Sequence, residues 1–172
     1  MTEHLQLIAK QLTHLQRMRE YLAYSVERCK DILSVENWQG LSLEQHEKLA
    51  AFRVRFSEFQ EHMGKTMRAV SIEEEVEVER FGAVLAFMEK LSILDSAERW
   101  KILREIRNAL NHEYEEDSER LTQIISEMFR AVPELFMIHA KLVAFCREAY
   151  KLDLSPLVNS SSTFVKKNKK LR

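Results

Sequence analysis

Apolar residues recur in alternating steps of three and four along most of the chain, the period of helices that bury one face. From the amino terminus, Leu5, Ile8, Leu12, Leu15, Arg19, Leu22, Val26, Cys29 and Leu33 trace a heptad seam. At 1.5 Å per residue it is roughly 40 Å long. Arg19 takes one seam position, where it is either partly exposed or paired with a carboxylate, or else a second cation for a cleft built further along the chain. Asn37-Trp38-Gln39-Gly40 predicts a turn, and Ser42 with Gln45 predicts a capping box opening the second helix. Leu49, Phe52, Phe56, Phe59, Met63 and Val70 then repeat the spacing and are expected to face the first helix antiparallel, as a short connection demands.

Ser71 and Glu74 predict the cap of a third helix, with Phe81, Val84, Leu85, Met88 and Leu91 as its apolar face. Five glutamates fall between Glu73 and Glu79. Those in a first turn would favour the helix dipole, and a partner with a basic surface is the alternative. Asp95 and Glu98 predict the cap of a fourth helix carrying Trp100, Leu103, Ile106 and Leu110. The last long helix is expected to start near Asp117, with Asp117 or Ser118 as its cap, and to run through Leu121, Ile124, Met128, Phe129, Leu135, Phe136, Leu142, Val143 and Cys146, with Pro133 kinking or restarting it. Periodicity is lost from Leu152 onward.

The chain is therefore expected to be all-α, an antiparallel up-down bundle of about five helices over residues 1–150, with a flexible basic tail over 151–172. Composition agrees: 172 residues with Gly 3 and Pro 2, 45% hydrophobic and 31% charged, suit one helical domain. Cys29 and Cys146 lack CxxC spacing and sit among apolar helical positions, which predicts buried free thiols in a reducing compartment. No stretch approaches the ~18 consecutive apolar residues of a membrane span. The start Met-Thr-Glu-His-Leu-Gln is unlike a signal peptide, so the expected location is the cytoplasm, with no membrane partner.

Net charge is −1, but Lys166, Lys167, Lys169, Lys170 and Arg172 crowd the last ten residues without an acid, leaving −6 on the other 162 by subtraction. A polyanion would have to be met by a local patch. The basic end reads as a solubilising tail, with a contact to RNA as the alternative.

Chemistry concentrates between Arg104 and Glu116. On a helix at 100° per residue, Arg107 falls inside the face of Trp100, Leu103, Ile106 and Leu110. An unpaired guanidinium buried there costs several kcal/mol, so Arg107 needs a carboxylate, a wet cleft or an anionic ligand. Five residues of unbroken helix turn about 140°, which would aim His112 elsewhere, so the helix is expected to end near Asn111 and let His112 fold back. Arg104 is a further candidate cation of that cleft, as is Arg19.

No glycine-rich phosphate loop, G-x-S-x-G, H-E-x-x-H or Cys/His cluster occurs, so nothing supports ATP, dinucleotide or zinc chemistry, and no cofactor or metal is expected. His4, His14, His46, His62 and His139 read as surface or core-edge histidines. An arginine and a histidine suffice for metal-independent RNA cleavage: a base takes the ribose 2′-hydroxyl proton, a fixed cation stabilises the phosphoryl oxygens, and a 2′,3′-cyclic phosphate is left. The acid for the leaving oxygen is not evident nearby, which suggests a two-fold partner.

The string Arg107-Asn108-Ala109-Leu110-Asn111-His112-Glu113-Tyr114 resembles the Arg, four residues, His, any residue, Tyr motif of the HEPN superfamily, in particular HepT-type toxins. Its setting, from Trp100 to Asn108, and the helix order over approximately residues 1–150 also resemble HepT-like proteins once described as nucleotidyltransferase substrate-binding subunits. The resemblance implies a helical homodimer whose two motifs line one cleft and cleave RNA without metal. Arg107 would hold the scissile phosphate, His112 would act as acid or base, and Asn108 and Asn111 would support them. Tyr114 matches the tyrosine that a cognate nucleotidyltransferase antitoxin modifies with AMP, adding negative charge and bulk beside the cleft, as in a type VII-like toxin–antitoxin pair. Two other readings stay open: a non-catalytic substrate-binding subunit of a nucleotidyltransferase, and a structural dimerisation module in which Arg107 is a satisfied core ion pair.

Overall fold

The computed structural model describes residues 1–32, 40–109 and 118–154. Among them are five α-helices and no strand: α1 (Glu3–Arg28), α2 (Leu43–Glu73), α3 (Phe81–Lys90), α4 (Ala97–Ala109) and α5 (Ser118–Tyr150). The chain is thus an all-α helical bundle, as its apolar periodicity predicts. Among the described residues no helix is long and apolar enough to cross a membrane.

Contacts between named residues give the helix directions. The start of α1 meets the end of α2 through His4 and Glu73, 2.7 Å apart, and Tyr21 lies under Arg55 further along, so the two helices are antiparallel. Phe52 stacks on Phe129 with ring centroids 4.1 Å apart, Phe59 meets Phe136 edge-on, and Glu74 accepts from the Tyr150 hydroxyl, so α2 and α5 run parallel. Arg99 of α4 pairs with Glu134, whereas Ala109 lies by Arg120, so α4 opposes α5. The four long helices therefore alternate in direction, and the short α3 lies in the connection from α2 to α4.

The predicted stripes form the core. Ile8, Leu12, Leu15 and Leu22 of α1 and Cys29 just past its end are fully buried, as are Phe52, Phe56, Phe59, Met63 and Val70 of α2. Leu33 and the Asn37 to Gln39 part of the expected turn lie outside the described residues. Both cysteines are free and buried. Burial pushes the Cys29 thiol up to about 11 and the Cys146 thiol up to about 12.

Helix starts and ends depart from expectation at several places. The Ser42 and Gln45 capping box forms with both of its bonds. Ser71, expected to cap a third helix, is instead buried inside α2, where its hydroxyl donates to the Met67 carbonyl one turn back. α2 stops at a Schellman motif: Val76 N–H donates to the Ser71 carbonyl and Glu75 N–H to that of Ile72, with Glu75 left-handed at φ 58°. Glu73 and Glu74 therefore end a helix rather than begin one. Their charge is met by His4 and by the Tyr150 hydroxyl instead of by a helix dipole.

The fourth helix is capped by Ser96, whose hydroxyl accepts from Arg99 N–H, and not by Asp95, which faces Lys141. α5 runs through Pro133 without a restart, Pro133 lying on its exposed side. The tail also begins later than expected. Lys151 turns left-handed at φ 52° and sends Leu152 and Leu154 back into the core, so the packed domain extends to at least Leu154.

Candidate functional site

α4 is amphipathic in the way that places Arg107 beside apolar neighbours. Trp100 and Leu103 are buried, Ile106 is half-buried, and Arg107 emerges next to them, also half-buried. It borders a groove of about 220 Å³ lined by Gln60, Glu61, Gly64, Lys65 and Arg68 of α2, Phe81 of α3, and Trp100, Arg104 and Arg107 of α4. A groove therefore lies beside Arg107, with the Glu61 carboxylate among its lining residues.

The floor is apolar and close-packed. A Cβ built on Gly64 would stand 3.5 Å from Phe81 and 3.7 Å from Trp100, so both rings rest almost on the α2 backbone. Arg68 covers the outer face of the Phe81 ring, its guanidinium carbon 5.7 Å from the centroid.

The groove is electropositive, with four cations, Lys65, Arg68, Arg104 and Arg107, against the single carboxylate of Glu61. That carboxylate is held by Lys65 at 3.1 Å. The Lys65 hydrogen bond and charge, with a smaller contribution from Arg107, keep Glu61 below the usual carboxylate range. Burial holds Arg107 below its ordinary value; Glu61 opposes that effect and Arg104 adds to it. As an arginine it stays charged. Its Nε and Nη2 donate to the side-chain oxygen of the adjacent Asn108 at 3.3 and 3.2 Å. Asn108 is neutral, so this hydrogen bond adds no opposing charge to that of Glu61.

Of the residues singled out from sequence, Arg104, Arg107 and Asn108 come together on α4. His112, Asn111 and Tyr114 lie outside the described residues, as do Leu110 and Asp117. Arg19 does not line this groove. It reaches from α1 to α5, where Nη1 donates to the Phe136 carbonyl and to His139 Nδ1, both at 3.1 Å, with its guanidinium 4.6 Å above the Phe136 ring. The seam needs no cleft to carry this arginine, because three neutral groups across the α1/α5 contact receive it. His139, expected at the surface or core edge, is buried.

Sequence reading missed the α2 side of the groove. Its signal is the four-residue step Gln60, Gly64, Arg68, a polar and small stripe beside the phenylalanine stripe. Gln60 is 1% exposed, and neither its side-chain nitrogen nor its oxygen meets a hydrogen-bond partner among the described residues. A wider groove between α4 and α5, about 580 Å³, is lined by Glu105, Glu119 and Glu127 with Arg120, a charge balance that disfavours an anion. No family model, curated protein or solved structure matches the chain.

Proposed function

We propose that this chain is a HEPN-type metal-independent endoribonuclease, the toxin of a pair whose nucleotidyltransferase antitoxin modifies Tyr114 with AMP. The observation that carries the reading is the half-buried guanidinium of Arg107, hydrogen-bonded only to a neutral amide among the described residues, in a groove of four cations and one carboxylate. Such a site attracts a phosphate, and a fixed cation at the reacting phosphoryl group stabilises charge that grows on its oxygens.

In this reading His112 takes the proton from the ribose 2′-hydroxyl. That oxygen attacks phosphorus, the 5′-oxygen leaves with a proton from an acid of a second copy, and Arg107 holds the non-bridging oxygens. AMP on Tyr114, two residues beyond His112, brings an anion to a site tuned for anions and competes with RNA. The second reading, a non-catalytic subunit that presents a substrate to a nucleotidyltransferase, draws on the same cationic groove, since binding needs the cations but not the imidazole.

One assay separates them. Purified protein is incubated with total RNA in EDTA beside Arg107→Ala and His112→Ala variants. Cleavage by the wild type to products ending in 2′,3′-cyclic phosphate, reduced at least 100-fold in each variant, is expected. Intact RNA with the wild type would leave the subunit reading in its place.

A further inference from the structure

Gln60 is a polar side chain buried in the lining of the groove. Burying a side-chain amide without partners costs on the order of 1–3 kcal/mol, and leucine would fill the same space without that cost. Here both amide atoms are buried and unpartnered among the described residues, on a residue that lines a cationic groove. Arg104 and Arg107 are three residues apart on α4, and Arg68 faces them from α2 across the Phe81 and Trp100 floor. Cations alone would suit any anion. The Gln60 side chain lines the same groove, and its amide, which solvent does not reach until that side chain turns, carries a donor and an acceptor side by side, the pattern that complements the hydrogen-bonding edge of a nucleobase.

We propose that the groove between α2 and α4 seats one nucleotide of single-stranded RNA, with its phosphate on Arg68 and Arg104 and its base edge on the Gln60 amide, next to the phosphate that Arg107 holds. The choice of RNA rests on the ribonuclease reading; the nucleotide seat itself does not. Gln60 thereby becomes a specificity-determining residue on a helix that carries none of the motif.

The test uses the full chain carrying His112→Ala and a fluorescein-labelled 2′-O-methyl hexaribonucleotide of mixed sequence, which cannot be cleaved, read by anisotropy. Gln60→Leu is expected to weaken binding about ten-fold while raising the melting temperature, because two unpaired polar atoms leave the interior. A Gln60 with no part in binding would leave affinity unchanged, whichever way the melting temperature moves. Arg68→Gln, at an exposed position, is expected to weaken binding several-fold and flatten the dependence of log Kd on log salt by roughly 0.7, one phosphate contact on a single strand.

Wild-type affinity in both variants would overturn the proposal, as would failure of the parent to bind the probe. If the native chain cuts RNA and both variants bind as the parent does, the nucleotide seat falls and the nuclease reading stands. Loss of binding in both variants of a chain that never cuts RNA leaves the seat standing and removes the nuclease.

Discussion

At the scale of single residues, the pairing of Arg19 with His139 shows how a misfit in a pattern is resolved by neighbours that the pattern cannot name. An arginine in an apolar seam calls for a carboxylate on charge grounds, yet the groups it meets are a carbonyl, a ring face and an imidazole nitrogen. Because Arg19 donates to Nδ1, His139 carries its proton on Nε2, an atom buried without a partner among the described residues. Burial first, and the Arg19 charge second, pull the His139 pKa down from 6.5 to about 4. Between these values the unfolded chain binds a proton that the folded chain refuses. This contribution to stability is complete above pH 6.5 and is lost as pH falls towards 4, by up to about 3 kcal/mol. Melting temperatures at pH 7 and pH 4.5 check this: the drop should be clearly smaller in His139→Gln, which cannot titrate, and equal drops would show that His139 is not its source.

At the scale of elements, helix bodies follow the sequence while helix ends follow backbone geometry. Three helices end with a left-handed residue that is not glycine, Glu75 after α2, Ser92 after α3 and Lys151 after α5. Each costs on the order of 1 kcal/mol relative to an ordinary backbone conformation. At α3 the cost is offset as at α2, by a Schellman pair from Ile93 N–H to the Met88 carbonyl and from Ser92 N–H to that of Glu89. Such ends carry no glycine to announce them, which is why Ser71 reads as the start of a helix that has not yet finished. The Ser42 start was legible because its signal, a hydroxyl and an amide three residues apart, is the interaction itself. Ser42→Ala should lower unfolding free energy by about 1 kcal/mol, seen as a reduced midpoint with unchanged slope in urea.

At the scale of the molecule, four long alternating helices give α4 two flanks, one against α2 and α3 and one against α5. The cationic side faces α2, where Gln60, Lys65 and Arg68 meet it. The proposed reaction also needs an acid that this groove does not present. If a second copy supplies it, the protein should sediment at equilibrium with twice the 20.3 kDa chain mass. A monomer at micromolar concentration would remove that source of the acid.

The all-α class, the core stripes of α1 and α2, the buried thiols and the exceptional position of Arg107 follow from the sequence by itself. Each depends on a periodicity of 3.6 residues that local order expresses directly. Only the tertiary structure decided that Arg104 and Arg107 share a groove with Gln60 and Arg68, and that Arg19 belongs to α5. Those partners stand dozens of residues apart in the chain. Their meeting depends on helix direction and on where each helix stops, which the packing of apolar faces settles together and no single stretch encodes.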